Sequence, residues 1–293
     1  MKKYLVSVIA AGMLAGVPLM AKSSSEVTSD AVKTAKNDAK KQEVQVVKEA
    51  VDAVVLTQEV LADLHKNDTK AAKAALEKAI GKLEVVLAAP NAPALLPIDS
   101  AMSATEFVGT ADDVKHDLKA VKSLLSDGKV QEARRLLSTL QSEIDIVTVS
   151  LPLVSYPNAL KLAAKYLHDG KVDEAKEVLH MALGTFAQSE VVIPVPILKA
   201  QALIEEASKV AKKDKKTALT HLDAARAQLK VAEALGYVSR SDTTYKALDD
   251  AIEKIEKEVK GKNEAEKLFD TLIDKLKEFK EKAVSTVRST ESK

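Results

Sequence analysis

Apolar positions recur at spacings of three and four along most of the chain, the period of a half-buried helix. Val44, Val47, Val51, Val54, Val55, Leu61 and Leu64 define one helical face between about residues 30 and 65. Asn67-Asp68 marks a turn, and Thr69 is placed to cap a second helix carrying Ala72, Leu76, Ile80, Leu83 and Leu87. In the last third, helices are predicted over Ile197–Val210 and Lys216–Leu235, the latter closed by Gly236. Ser241 or Asp242 can cap a further helix with Tyr245, Leu248, Ile252, Ile255 and Val259 on one face. After a turn at Gly261-Lys-Asn263, Leu268, Leu272, Leu276, Phe279, Ala283 and Val287 line a final one. These two predict an antiparallel, charge-rich pair over about 242–287, whose narrow apolar seams can pack on the body or on a partner.

The ends of these blocks are set by proline. Beyond residue 21 it falls in three clusters: Pro90, Pro93 and Pro97; Pro152 and Pro157; Pro194 and Pro196. Proline ends a helix at the residue before it, and it suits a helix's first turn, as at Pro157 and Pro196. The segments leading into the second and third clusters, 144–151 and 189–193, are rich in Ile, Val and Thr. Each is either a helix running down to the proline or a short extended piece, and the β-branching favours the extended reading.

An internal repeat is the sharpest feature. Leu125-Ser-Asp127-Gly128-Lys129-Val130-Gln-Glu132-Ala133-Arg134-Arg-Leu136-Leu137 returns 42 residues on as Leu167-His-Asp169-Gly170-Lys171-Val172-Asp-Glu174-Ala175-Lys176-Glu-Val178-Leu179. The pattern is a helical hairpin: Asp127-Gly128 and Asp169-Gly170 form the turns, with the glycines in the left-handed conformation. Ala133 and Ala175 stand where the paired helices must approach closely. Weaker echoes run from Asn67 to Leu76 and from Lys213 to Leu222, keeping only the turn and a following alanine. The fold class expected is therefore mainly α: a bundle of helical hairpins with a duplicated helix-turn-helix unit.

The N-terminus reads as something else. Lys2 and Lys3 precede an apolar stretch from Leu5 to Gly16, Pro18 breaks it, and Ala21 offers a small residue at a cut. That is the pattern of a cleavable secretory signal over 1–21, too short for a spanning helix. No cysteine stands at the cut, which excludes lipoprotein anchoring. Residues 22–29 read as a flexible polar lead-in, leaving 30–293 as one helical domain. Later apolar runs are broken by charge, so no membrane insertion is expected after signal removal.

Composition narrows the function. The 44 Lys and Arg against 43 Asp and Glu give a net charge of +1, and loss of Lys2 and Lys3 leaves 42 against 43. Nucleic acid is disfavoured as a partner, because its phosphates demand a basic surplus. The absence of cysteine removes disulfides, thiolate nucleophiles and zinc–thiolate sites together. The five histidines (His65, His116, His168, His180, His221) show no ligand spacing and read as surface or capping residues, so neither metal nor cofactor is expected. Asp127 and Asp169 with Glu132 and Glu174 could pair as acid–base carboxylates, but their repetition at a helix turn favours turn-forming and first-turn roles. No nucleophile elbow, phosphate loop or dinucleotide fingerprint occurs.

Longer motifs carry a family resemblance. Leu96-Pro97-Ile98-Asp99, Glu132-Ala133-Arg134-Arg135-Leu136-Leu137, Leu151 to Ala163, Gly170 to Lys176, Ile193 to Leu203 and Ala232-Glu-Ala-Leu-Gly-Tyr237 together resemble the YfdX family, from about Asp30 to the C-terminus. The resemblance implies a bacterial helical protein, often exported, associated with acid and multidrug stress, for which ligand-binding and chaperone-like roles have been suggested. It brings no catalytic residue with it.

The expectation is thus a periplasmic, non-enzymatic protein that binds small apolar molecules or unfolded client segments. Tyr156, Pro157, Tyr166, Phe186, Pro194 and Pro196 are the candidate ligand-binding residues, as aromatic and proline walls that could converge where the two hairpins meet. The alternative is that they are core. A second reading makes the chain an envelope scaffold that forms homo-oligomers through the helix pair at 242–287. A hydrolase without a recognisable motif ranks last.

Overall fold

The structure is a computed structural model that describes residues 22–42, 46–239, 243–261 and 265–284. The signal segment 1–21, Val44, the caps Ser241 and Asp242, Asn263 and Val287 lie outside the described residues. Eleven helices and three strands are present among them: α1 (Ser24–Gln42), α2 (Lys48–His65), α3 (Thr69–Leu87), β1 (Leu95–Thr105), α4 (Ala111–Ser126), α5 (Val130–Ser138), β2 (Glu143–Pro152), α6 (Tyr156–His168), α7 (Val172–Leu183), β3 (Ala187–Pro194), α8 (Val195–Val210), α9 (Lys215–Ala234), α10 (Thr243–Lys260) and α11 (Glu266–Val284). The chain is mainly α, as the periodicity predicts.

An alternation organises the middle of the chain. Helical hairpins α2–α3, α4–α5, α6–α7 and α8–α9 follow one another, and one strand joins each to the next. Alternate hairpins pack together. One compact unit holds α2–α3 with α6–α7 around a core of Leu64, Leu76, Leu83, Tyr156, Leu160, Leu167 and Leu179. The other holds α4–α5 with α8–α9, and adds α1 as far as Ala39, α10 and α11, around Leu203, Leu222, Leu229, Leu248, Ile252, Phe269 and Leu272. Two compact units result because each hairpin finds its apolar partner two hairpins away in sequence.

The hairpin turns obey the chemistry read from the repeat. Gly128 and Gly170 have φ of 73° and 74°, and the N–H of the following lysine donates back to the carbonyl of Leu124 or Tyr166, at 2.8 Å in both. Asn67 takes the same left-handed conformation (φ 60°), with Asp68 N–H donating to Asp63 at 2.9 Å, so the weak echo at Asn67 is a true third copy of the turn. The α8–α9 turn is built differently, with the Asp214 carboxylate accepting from Thr217 N–H at 3.0 Å. An alanine lies buried in the second helix of each hairpin: Ala72, Ala133, Ala175 and Ala218. A Cβ at Gly128 or Gly170 would meet no neighbouring atom within 4 Å. Gly128→Ala and Gly170→Ala should thus each lose only the backbone term, about 1–2 kcal/mol in urea unfolding, with no added steric cost.

The strands form one sheet in the order β1-β2-β3. β2 and β3 are the extended pieces that β-branching favours at 144–151 and 189–193. β1 has no such signal. Its Leu-Leu-Pro-Ile-Asp-Ser-Ala-Met-Ser-Ala-Thr sequence is strand by pairing with β2, and Pro97 is tolerated because β1 lies at the sheet edge.

Three boundaries differ from expectation. Residues 22–29 are not a flexible lead-in but the start of α1. Ser23 and Glu26 make a reciprocal cap: the Glu26 carboxylate accepts from Ser23 N–H and hydroxyl at 2.8 Å each, and Val27 is buried. The face expected over 30–65 is split between α1 and α2. Asp68, not Thr69, caps α3, accepting from Ala71 N–H at 2.9 Å.

The final helix pair packs on its own unit. α10 and α11 lie against α9 and α8, burying Leu248, Ile252, Ile255, Val259, Phe269, Leu272 and Leu276. Arg226 of α9 holds α10 through Asp249, donating at 2.5 and 3.2 Å. Nearby, burial and the charge of Asp223 push the Glu256 carboxyl up, against the opposing pull of Arg226.

Candidate functional site

The candidate site is a groove between α1 and α8, inside the larger unit. It exists because the facing side chains are short. Ala31, Thr34 and Ala35 of α1 stand opposite Ala202 and Leu198 of α8, and leave a cavity of about 250 Å³. Val27 closes the apolar floor. The rim is polar and acidic, with Asp30, Asp38, Glu205 and Glu206 against Lys22 and Lys209.

Most rim charges are held by neighbours. Lys22 donates to Asp30 at 2.7 Å, which keeps the Asp30 carboxyl below the usual carboxylate range and raises the lysine. Lys209 donates to Glu206 at 3.2 Å. Gln201 donates through Nε2 to Glu205 at 2.9 Å, but its carbonyl Oε1 is buried and has no donor among the described residues. A buried acceptor without a donor costs free energy.

His221 of α9 lies by the start of α1. Its Nδ1 is 2.9 Å from the Ser24 hydroxyl, and its Nε2 is buried with no partner among the described residues. The surface or capping role expected for this histidine is thus replaced by a core one. Burial lowers its pKa below the ordinary 6.5, against the opposing charges of Glu206 and Asp214. The unfolded chain then binds the proton more readily. Stability from this group is complete above pH about 6.5 and is lost as pH falls through the lower folded value. His221→Asn, which keeps a side-chain partner for Ser24, should narrow the gap between the melting temperatures at pH 7.5 and 5.5.

The sequence-predicted binding residues are placed elsewhere. Tyr156 and Phe186 do come together, with ring centroids 5.8 Å apart and planes 27° from parallel. Pro157 is buried in α6, and Tyr166 is partly buried on the same core, with the Lys171 ammonium 6.0 Å from its ring centroid. Pro194 and Pro196 belong to the other unit, where they are buried at the start of α8. The six therefore divide four and two, and Tyr156, Pro157, Pro194 and Pro196 are packed as core. Asp127, Gly128, Asp169 and Gly170 form the turns expected of them. His65 and His180 face each other at 6.3 Å between α2 and α7. Among the described residues no cluster of three or more His, Cys, Asp or Glu is arranged to hold a metal ion. Nor, among them, is any helix long and apolar enough to cross a membrane.

Repeated helical hairpins joined by the strands of a small sheet define the class: a mainly α hairpin protein with an acid-rimmed groove. Residues 53–192 match the model of the YfdX protein family. The matched span runs from α2 into β3, so the α1–α8 groove lies outside it. Among solved structures, one of Salmonella Typhi YfdX is similar at 14% identity, covering 51% of this chain and 93% of that one with a TM-score of 0.38. No curated protein matches the chain.

Proposed function

We propose that this chain is an exported, non-catalytic binding protein of the cell envelope whose α1–α8 groove holds small apolar cations. The carrying observation is the short-side-chain groove between α1 and α8, rimmed by four carboxylates and two lysines. An amine or amidine on a compact apolar body answers the acid excess and fills the alanine-lined floor. The signal-like N-terminus supports export, and the stress association implied by the family resemblance fits a role in sequestering such compounds. The scaffold reading is weaker, because α10 and α11 bury their seams within their own unit.

Calorimetric titration with phenethylamine, its neutral alcohol analogue and phenylacetate tests this. The amine is expected to bind at least tenfold more tightly than the alcohol, with no heat from the carboxylate. Ala202→Leu, which fills the groove, should abolish binding while the circular dichroism spectrum is kept. Equal affinity for amine and alcohol, or binding that survives Ala202→Leu, would overturn the proposal.

A further inference from the structure

The duplicated hairpins serve as an internal control on one another. Leu167 and Leu179 of the α6–α7 hairpin are 2% and 0% exposed, and Val172 packs against the same core. Their repeat mates Leu125, Val130 and Leu137 of the α4–α5 hairpin are 51%, 50% and 49% exposed. The residue types have been kept while the cover has not. In the α6–α7 unit the cover comes from hairpin α2–α3, with α3 on α6 and α2 on α7. In the other unit α9 packs on α4 as α3 does on α6, but α8, the counterpart of α2, packs on α11. Among the described residues the strip, with Leu125 at the end of α4 and Val130 and Leu137 on α5, is left bare.

From this juxtaposition we infer that the Leu125–Val130–Leu137 strip is a docking surface for an acidic amphipathic helix of a partner protein. The repeat mate shows the kind of element that fits. α2 is amphipathic and carries Glu49, Asp52, Glu59 and Asp63 against Lys48 and His65. Charge around the bare strip is mostly basic, with Asp127 of the turn as an exposed carboxylate beside it, and so asks for the same sign. Lys122 lies one turn before Leu125, Lys129 adjoins Val130, and Arg134 stands between Val130 and Leu137 at helical spacing. All three are exposed and make no ion pair among the described residues. Glu132, two residues after Val130, is on the opposite flank of α5. A second copy of this chain fits less well, since pairing strip to strip brings Arg134 against its own symmetry mate.

A fluorescein-labelled peptide with the sequence of residues 48–65 is the probe, titrated against the full chain by anisotropy. Saturable binding is expected, weakened at least tenfold by Leu125→Asp with Leu137→Asp and also by Arg134→Glu. These exposed positions leave the fold intact, which an unchanged melting temperature checks. A scrambled peptide of the same composition should not bind. Absence of binding, binding equal in the variants, or sedimentation showing a dimer that Leu137→Asp dissolves would each overturn the assignment, the last by making a second copy the occupant. None of these outcomes bears on the α1–α8 groove, which Leu137 does not line.

Discussion

Tyr156→Ala is expected to destabilise the α2–α3/α6–α7 unit by about 3–5 kcal/mol. Tyr156 is fully buried and stacks on Phe186, so truncation removes both the transfer term and the stacking partner while leaving a cavity. Its hydroxyl makes a sharp contrast. Burial pushes the phenol up to about 12, the Thr57 hydroxyl pulling slightly the other way, and the oxygen lacks a well-formed hydrogen bond. Tyr156→Phe removes a desolvated polar atom and keeps the ring. Stability should stay level or rise by up to about 1 kcal/mol. Urea unfolding followed by circular dichroism separates the two variants. A loss under about 1 kcal/mol for Tyr156→Ala would show that the ring is not the core element its burial describes.

The second large effect comes from the same repeat position in two settings. Leu179→Ala should cost about 2–5 kcal/mol, because Leu179 is fully buried between hairpins. Leu137→Ala, at the matching place in the repeat, should cost under about 1 kcal/mol, because half of its surface already meets water. Equal losses measured in urea would mean that Leu137 is covered in the free protein. That would remove the basis of the docking surface before any peptide is tried.

What sequence reading reaches depends on how local the cause is. The turns at Gly128 and Gly170 are legible because left-handed backbone selects glycine whatever the rest of the chain does. β2 and β3 are legible through their run of Ile and Val. β1 is not, since Ala, Ser, Met and Pro97 carry no strand preference and only pairing with β2 makes them extended. The aromatic reading located a genuine cluster at Tyr156 and Phe186, but four of its six residues are filled core rather than walls of a cleft. The α1–α8 groove escaped for the opposite reason. Small residues such as Ala31, Ala35 and Ala202 leave no mark in a hydrophobic pattern, and their effect appears only when two helices lie face to face. The first residues of α1, Ser24 to Ser29, read as a flexible lead-in because they are short and polar. His221 escaped because a lone histidine carries no sign of its burial until α1 lies over it.

The alternation of hairpins and strands has a consequence for how the chain is made. Emerging from the N-terminus, α2–α3 is followed first by α4–α5, which belongs to the other unit, and meets its partner α6–α7 only after two strands and a foreign hairpin have been added. The α4–α5 hairpin waits in turn for α8–α9. At mid-synthesis two half-units therefore stand with apolar faces uncovered, and neither can complete itself. A cut near residue 140 would not yield two domains but two pairs of mismatched hairpins. Anyone dividing this protein for expression, or carrying it unfolded across a membrane, has to treat it as a single interleaved thread.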